Sequence, residues 1–416
     1  MANRTLLTNA AILDCTGNTD ARPFDGDILI EGQHIARVAV GRMRLDTSAT
    51  RVVDLQGATV LPGLGDAHVH ISWPLDFVFD HAAAAHESPA AHALDVAAVA
   101  QTFLRSGYTL IIGAGVLQPQ DDLLMKSAIE RGALPGPRIV PSGLMVAEQG
   151  CLGDEGGLMD VVSNAEELRT VVARQCDAGV KAIKLFISGD GAVPAYPSED
   201  VYMNDAMLEA AVKEADRHGA FITVHARASE SVAMAARSGV RLIHHACFLE
   251  DAALRELEAH RRDVWVCPGL HYLYAMVQGH AAPWGMTTEK VASFGYPREL
   301  EAQIEGLKKM HSAGIQIVSG GDFGHQWTKH GTYAAELQRY VELVGMSPSE
   351  ALLTATRNMG PLVGLQVGEI RSGYLADLLI VEGDPSADIT LLQDPKRLRA
   401  VIQAGMFTHL NLELLP

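Results

Sequence analysis

The chain has 416 residues, of which 48% are hydrophobic and 20% are charged, a composition typical of a globular protein with room for one large domain and one smaller one. Asp and Glu number 50 against 33 for Lys and Arg, a formal net charge of -17, and such an acidic surface repels phosphate groups, so we expect neither nucleic acid nor a membrane as a partner. The five cysteines include no Cys-x-x-Cys pair, and no apolar run is long enough for a signal peptide or a membrane span, so we expect free thiols and a cytoplasmic location.

The two ends of the chain carry strand patterns. Residues 27–38 indicate a hairpin that turns at Glu31-Gly32-Gln33, and apolar segments return at 375–384 and 398–405. Between these ends the pattern is different. We therefore predict a small β-sandwich domain composed of residues 1–57 and 361–416.

From residue 58 to residue 360, short apolar segments alternate with helical stretches. Eight of these segments have strand character: 58–70, 108–115, 138–143, 182–187, 220–225, 241–245, 264–267 and 315–322. Repeated strand–helix units of this number predict an α/β fold, a closed (β/α)8 TIM barrel. The segment 269–296 is predicted as a long aromatic loop that either covers the substrate or packs on its own apolar residues.

Two histidines one residue apart, His68 and His70, end the first of these strands. Side chains at i and i+2 of a strand point to the same face, so both imidazoles can reach one metal ion. A pair of ordinary strand histidines is the alternative. Pro62, Gly63 and Asp66 beside the pair favour a metal site.

Further polar residues stand at the ends of later strands: Lys184, His225, His245 and Asp322. Active sites of barrels form at these carboxyl ends, so the residues converge on one place. A buried lysine has a lowered pKa because burial disfavours the ammonium ion. A neutral amine between two metal ions can react with carbon dioxide, and the resulting carbamate can bridge both ions.

This order of residues resembles the amidohydrolase superfamily, and most closely its imidazolonepropionase-like and prolidase-like branch, which includes ochratoxin-cleaving amidases. The resemblance covers nearly the whole chain. It rests on the segments 60–70, 183–189, 224–226, 243–246 and 319–322, and on the tail segments 345–358 and 373–381. In this register His245, and not His244, matches the strand-six histidine.

The resemblance implies a binuclear metal centre. One ion would take His68, His70, Lys184 and Asp322, and the other Lys184, His225 and His245. Zinc is the expected metal, with manganese and cobalt as alternatives, and Lys184 would carry a carbon dioxide-derived carbamate. A metal-bridging hydroxide would attack the amide carbonyl, while Asp322 would carry the proton to the leaving nitrogen.

The implied reaction is hydrolysis of a C–N amide bond in a small molecule: an N-acyl amino acid, a dipeptide or an aryl amide. Two positions depart from the pattern of related enzymes, since Leu152 replaces a histidine and Arg227 a tyrosine. Arg227 could bind a substrate carboxylate or pair with protein carboxylates. Further predicted substrate contacts are Tyr272, Tyr274 and His330, and the expected assembly is a homo-oligomer.

Three alternatives stay open. One is hydrolysis of a cyclic amide or imidazolone at the same centre. Another is a mononuclear deaminase, although such enzymes typically have no lysine ligand and have Glu three residues after the strand-five histidine, where this chain has Ala228. The third is a barrel without metals that serves a structural role, which the complete ligand set disfavours.

Overall fold

The computed structural model describes residues 4–17, 19, 22–78, 88–151, 159–191 and 196–410. Within this part of the chain, no helix is both long enough and apolar enough to cross a membrane. The strands fall into one sheet made from both chain ends and two parallel sheets made from the middle.

Within the described residues, the first sheet contains eight strands. Their bounds are β1 Arg4–Ile12, β2 Phe24–Glu31, β3 His34–Val40, β4 Arg51–Asp54, β5 Thr59–Pro62, β16 Leu378–Val381, β17 Leu398–Gln403 and β18 Met406–Leu410. Their order is β18-β17-β16-β5-β1-β2-β3, and β4 pairs with β1. The predicted hairpin is confirmed, because Glu31 pairs with His34 in the antiparallel β2–β3 ladder.

The parallel sheets contain the remaining strands. Their bounds are β6 Leu64–Val69, β7 Tyr108–Gly113, β8 Arg138–Val140, β9 Met145–Glu148, β10 Met159–Val162, β11 Ala182–Phe186, β12 Phe221–Ala226, β13 Leu242–His245, β14 Trp265–Cys267 and β15 Gln316–Ile317. One sheet runs β6-β7-β8 and the other β10-β9-β11-β12-β13-β14-β15. The predicted α/β class with parallel strands is confirmed.

Backbone hydrogen bonds join the two parallel sheets at both ends. Ala67 N donates to Ser319 O over 2.8 Å, which ties β6 to the chain that follows β15. Ala182 N donates to Pro141 O over 3.0 Å, which ties β11 to the end of β8. The ends of β6, β11, β12 and β13 are therefore held on one side of the fold.

Most of the helices connect the parallel strands, and those after β15 lead into the terminal sheet. Their bounds are Pro89–Arg105, Asp121–Glu130, Ala165–Asp177, Asp205–Arg217, Ser229–Arg237, Asp251–Ala259, Leu270–Val277, Thr288–Ser293, Tyr296–Ser312, Ala335–Arg339, Pro348–Ala355 and Met359–Val363, with a π-helical turn at Tyr340–Val344 and 3-10 turns at Ala282–Trp284 and Ile389–Gln393. Several begin at a side-chain cap. Asn204, for example, accepts from Met207 N and satisfies a donor at the start of the helix.

Two local predictions from the sequence were wrong. Residues 58–70 are not one strand, because Gly63 separates β5 from β6 and the two halves join different sheets. A Cβ at Gly63 would lie 2.2 Å from Thr109 Oγ1, so the chain crosses here only with glycine. The segment 269–296 is largely helical rather than a loop, because its apolar residues bury one side of the helix Leu270–Val277.

The two units meet through a partly buried ion pair. Arg138 at the start of β8 donates from Nε to Asp377 Oδ2 over 2.7 Å. Asp377 also accepts from Ala404 N over 2.7 Å in the turn between β17 and β18. One hydrophobic cluster also spans the two units, because it includes Leu379 of the terminal sheet and Ile183 of the parallel sheets, so the ion pair adds to apolar packing between them.

Candidate metal centre

His68, His70 and Asp322 form a buried cluster at the carboxyl ends of the strands. Their candidate ligand atoms all lie within 4.8 Å of one another. His68 Nε2 is 3.5 Å and His70 Nε2 is 3.4 Å from Asp322 Oδ1. Two imidazoles and a carboxylate in this arrangement are a donor set suited to a divalent cation.

The backbone around the cluster holds each ligand in place. His70 Nδ1 donates to Gly115 O over 3.2 Å, which leaves Nε2 of the neutral ring with a lone pair directed at Asp322. Asp66 Oδ1 accepts from His68 N over 2.9 Å. Asp322 itself has a left-handed backbone, with φ of 54°, immediately after Gly320 and Gly321.

The charge state of these ligands suits a cation. Burial alone would raise the pKa of Asp322, but the close approach of His70 and the positive charges around the carboxylate outweigh this effect and lower the pKa to about 2. Burial lowers the pKa of His68 well below its usual value. Among the described residues, Asp322 Oδ1 and His68 Nδ1 have no hydrogen-bond partner. An ionised carboxylate that faces imidazole lone pairs fits a metal ion between them.

His225 and His245 lie beside this cluster on the neighbouring strands. Their ring centroids are 4.5 Å apart, and His245 is 5.1 Å from His68. His225 Nε2 lies 3.1 Å from the carbonyl oxygen of Gly189, which can only accept a hydrogen bond and therefore favours a free lone pair on Nδ1. Burial lowers the pKa of His225 to about 3, so the imidazole is neutral and able to bind metal.

Lys184 completes the set of sequence-predicted ligands. It lies in β11 and is 1% exposed. Burial lowers the pKa of its amine to about 7, so a large fraction is uncharged near neutral pH. Its Nζ lies 2.7 Å from Nδ1 of His244, a residue that the family resemblance left out of the site. The structure thus brings all six predicted metal ligands to one region.

Arg227 is buried in an ion-pair network. Its Nη1 donates to Glu299 over 2.5 Å and its Nη2 donates to Asp190 over 2.9 Å. Asp190 also accepts from the hydroxyl of Tyr296 over 2.8 Å. Arg227 Nε lies 3.3 Å from Nε2 of His225. This geometry favours the second of the two interpretations from the sequence, in which the guanidinium pairs with protein carboxylates.

The other predicted substrate contacts have different surroundings. Tyr272 is buried, with its ring 5.5 Å from His325 and 6.4 Å from Tyr296. Tyr274 packs under Arg339 at 4.3 Å and has no described contact with the metal ligands. His330 is held by the Trp73 carbonyl and the Tyr333 hydroxyl. Leu152 lies outside the described residues.

An aromatic wall that the sequence analysis missed stands directly beside the metal ligands. Trp73 stacks on His70 at 3.9 Å, and Phe77 stacks on Trp73 at 4.9 Å. His325 lies edge-on to Trp73 at 4.7 Å and stacks on Trp327 at 4.7 Å. Sequence position could have indicated these residues, because Trp73 follows the predicted ligand His70 by three residues and His325 follows Asp322 by three. Residues that follow barrel strands contribute to the active site.

A parallel α/β fold with histidines and a carboxylate at its strand ends is the arrangement of a metal-dependent hydrolase. The amidohydrolase family profile matches residues 59–407. The chain therefore belongs to the amidohydrolase family, and it is a hydrolase that acts on carbon–nitrogen bonds. The predicted resemblance is confirmed.

Individual relatives are similar over most of their length. Ochratoxinase from Aspergillus niger is 26% identical over 388 residues, which span 83% of this chain and 75% of that enzyme. A prolidase complexed with N-methylphosphonate-L-proline is 26% identical with a TM-score of 0.86 and covers 98% of this chain and 100% of its own. A Xaa-Pro dipeptidase with bound methionine is 25% identical with a TM-score of 0.84, covering 97% and 99%.

Proposed function

We propose that this chain is a binuclear metal-dependent amidohydrolase that cleaves the amide C–N bond of a small molecule. The observation that carries the proposal is the convergence of five imidazole or carboxylate ligands and one buried lysine at the strand ends. The hydrogen bonds at both ends of the parallel sheets support a closed (β/α)8 barrel beneath the site. The proposed smaller domain comprises residues 1–57 and 361–416, together with β5.

The proposed centre divides the ligands between two ions. His68, His70 and Asp322 would hold one, His225 and His245 the other, and a carboxylated Lys184 both. Two divalent ions, most simply zinc, would supply a hydroxide nucleophile at neutral pH and polarise the substrate carbonyl. The uncharged fraction of the Lys184 amine supports carboxylation, in which nitrogen bonds to the carbon of carbon dioxide and releases one proton.

Asp322 is the proposed proton carrier. Its low pKa keeps the carboxylate ionised across the neutral range, so it can accept a proton during attack on the amide. The left-handed backbone at Asp322 fixes its direction relative to His68 and His70. The same carboxyl group would then deliver the proton to the leaving nitrogen, which departs as an amine.

The proposed substrate carries an apolar or aryl group beside the scissile amide. Trp73 and Phe77 form a stacked ladder on His70, so a flat group can lie against them next to the metal ligands. Tyr272 reaches the same wall through His325. The relatives named prolidase and Xaa-Pro dipeptidase support a dipeptide or N-acyl amino acid, and the aromatic wall supports an aryl amide.

The test is a hydrolysis assay combined with metal analysis of the purified enzyme. We expect release of amine from N-acyl amino acids, dipeptides or aryl amides, and about two metal equivalents per chain. One equivalent with release of ammonia from an amino-substituted ring would instead support the mononuclear deaminase. Opening of lactams or imidazolones without cleavage of linear amides would support the cyclic-amide alternative. A metal-loaded enzyme that hydrolyses none of these would contradict the proposal.

Arg227→Met is expected to lower the free energy of unfolding by about 3–5 kcal/mol, because it leaves the buried Glu299 carboxylate without its partner. We also expect it to reduce turnover of acidic and neutral amides equally. Denaturant unfolding and steady-state kinetics on both substrate types measure these effects. The matched control is Arg298→Met, since Arg298 pairs with Glu199 on the surface and should cost no more than about 1 kcal/mol.

A different kinetic result would restore the role predicted from the sequence. If Arg227 binds a substrate carboxylate, Arg227→Met raises KM sharply for N-acyl amino acids and leaves neutral amides nearly unchanged. That outcome would make Arg227, rather than the aromatic wall, the main determinant of substrate choice. Tyr272, Tyr274 and His330 stay as further proposed contacts.

A further inference from the structure

His244 is a fully buried histidine for which the proposed reaction has no role. It precedes the proposed ligand His245 at the end of β13 and is 0% exposed. Its Nδ1 lies 2.7 Å from Lys184 Nζ, and its ring centroid lies 4.1 Å from that of His68. Within the described part of the chain, its other ring nitrogen, Nε2, has no hydrogen-bond partner.

The backbone explains why two consecutive residues reach the same site. Successive side chains of a strand point to opposite faces, so His244 and His245 should diverge. His245 instead has a left-handed conformation with φ of 75°, which ends the alternation. As a result the ring of His244 packs against His68, and the ring of His245 lies beside His225.

The direction of the hydrogen bond between Lys184 and His244 follows from their chemistry. An ammonium group can only donate, so Nδ1 of His244 accepts from charged Lys184, and its neutral ring then carries the proton on Nε2. When an amine is converted to a carbamate, the nitrogen keeps one N–H. That N–H needs an acceptor as much as the free amine did, because an unpaired buried donor is costly.

We infer that His244 is a positioning residue whose Nδ1 accepts the remaining N–H of carboxylated Lys184. A carbamate is planar for the same reason as a peptide bond. Fixing its N–H therefore fixes the plane of its two oxygens, which must face two metal ions. This inference rests on the proposed carboxylation of Lys184 and adds a residue that determines its stability and direction.

The experiment compares substitutions that keep or remove an acceptor at the position of Nδ1. His244→Asn retains a side-chain oxygen at that distance from the backbone, whereas His244→Gln places its amide one bond further out. His244→Phe fills the space without any acceptor. Each purified enzyme is stripped of metal with a chelator, reconstituted with zinc and 13C-bicarbonate, and examined for the carbamate carbon by NMR and for bound zinc by mass spectrometry.

We expect His244→Gln and His244→Phe to need roughly tenfold more bicarbonate for a half-maximal carbamate signal, the size of effect that one buried hydrogen bond supplies. His244→Asn should stay within about threefold of the unsubstituted enzyme. High bicarbonate should restore zinc content and kcat in the Gln variant with KM unchanged. Circular dichroism and thermal unfolding identify a variant that has not folded. If His244→Phe does not fold, the comparison of His244→Asn with His244→Gln tests whether the carbamate needs an acceptor at this position.

Two results would overturn the inference. Unchanged bicarbonate dependence in both His244→Gln and His244→Phe would show that the carbamate does not need this acceptor. Equal loss of zinc in all three variants, even at high bicarbonate, would show that the imidazole is itself a metal ligand. Failure of the proposed function looks different, because the unsubstituted enzyme would then show neither a carbamate signal nor amide hydrolysis.

Discussion

Asp322→Asn is expected to lower kcat by a factor of about 10²–10⁴, the usual contribution of a positioned acid–base group. The carboxylate has a pKa of about 2 and lies 3.4 Å from His70 Nε2. An amide of nearly the same size cannot accept the proton during attack or return it to the leaving nitrogen. Steady-state kinetics with metal content measured on the same samples separates lost proton transfer from lost metal.

The control for this experiment is Asp377→Asn, which changes a buried carboxylate to an amide outside the proposed site. Asp377 pairs with Arg138 and Ala404, so its substitution should lower stability but leave kcat of the folded enzyme unchanged. A reduction of less than about tenfold in Asp322→Asn would mean that another group carries the proton. In that case Asp322 would serve as a metal ligand alone.

Lys184→Ala is expected to remove most of the bound metal together with the activity. Lys184 is the single residue proposed to contact both ions, and no other described lysine is buried. Without the bridging carbamate, two cations would face each other with too little negative charge between them. Metal analysis of the purified variant and its rate of amide hydrolysis measure the two losses.

Short carboxylic acids provide a second measurement on the same variant. Acetate or propionate can enter the space left by the lysine and supply a bidentate anion, so we expect partial recovery of metal content and rate. Lys181→Ala is the matched control, because Lys181 precedes the same strand and is exposed, with its Nζ bonded to His218 O. Full metal content and a normal rate in Lys184→Ala would refute the bridging role.

The sequence was sufficient for the class of fold and the family. The alternation of strands and helices predicts the parallel α/β architecture, because the spacing of apolar residues and the positions of turn residues are local properties of the sequence. It did not show that the strand before His68 is divided at Gly63. Glycine is needed at position 63 because the side chain of Thr109, more than 40 residues later in the chain, packs against it. Such a contact between distant segments leaves no pattern in the local sequence.

The candidate site also contains residues that the sequence predicts and residues that it does not. The six predicted metal ligands lie in the parallel strands or in the residues that follow them, where the sequence pattern locates them, and the structure brings them together, although their roles stay predictions. The side chains that surround them come from loops and helices, and their partners were not predictable. Arg227 illustrates this, since its partners Asp190 and Glu299 lie on separate elements and only the folded chain shows both salt bridges.

His244 shows a further reason why sequence reasoning stops short. The family resemblance assigns His245 to the site, and the rule of alternation in strands would place its neighbour His244 on the opposite face. The left-handed φ of His245 breaks that rule. Backbone conformations of this kind are costly for residues other than glycine, so they are found mainly where the surrounding structure compensates for them.

The pairing of β5 with β16 affects how the protein can fold during its synthesis. Leu61 pairs with Leu379, so the edge of β5 stays open while the ribosome synthesises nearly all of the intervening chain. An open strand edge is a template for pairing with other chains, and late closure of long-range contacts slows folding. A nascent chain that ends before Leu378 therefore keeps an unpaired edge on β5. Aggregation through this edge competes with folding until the last segment has been synthesised.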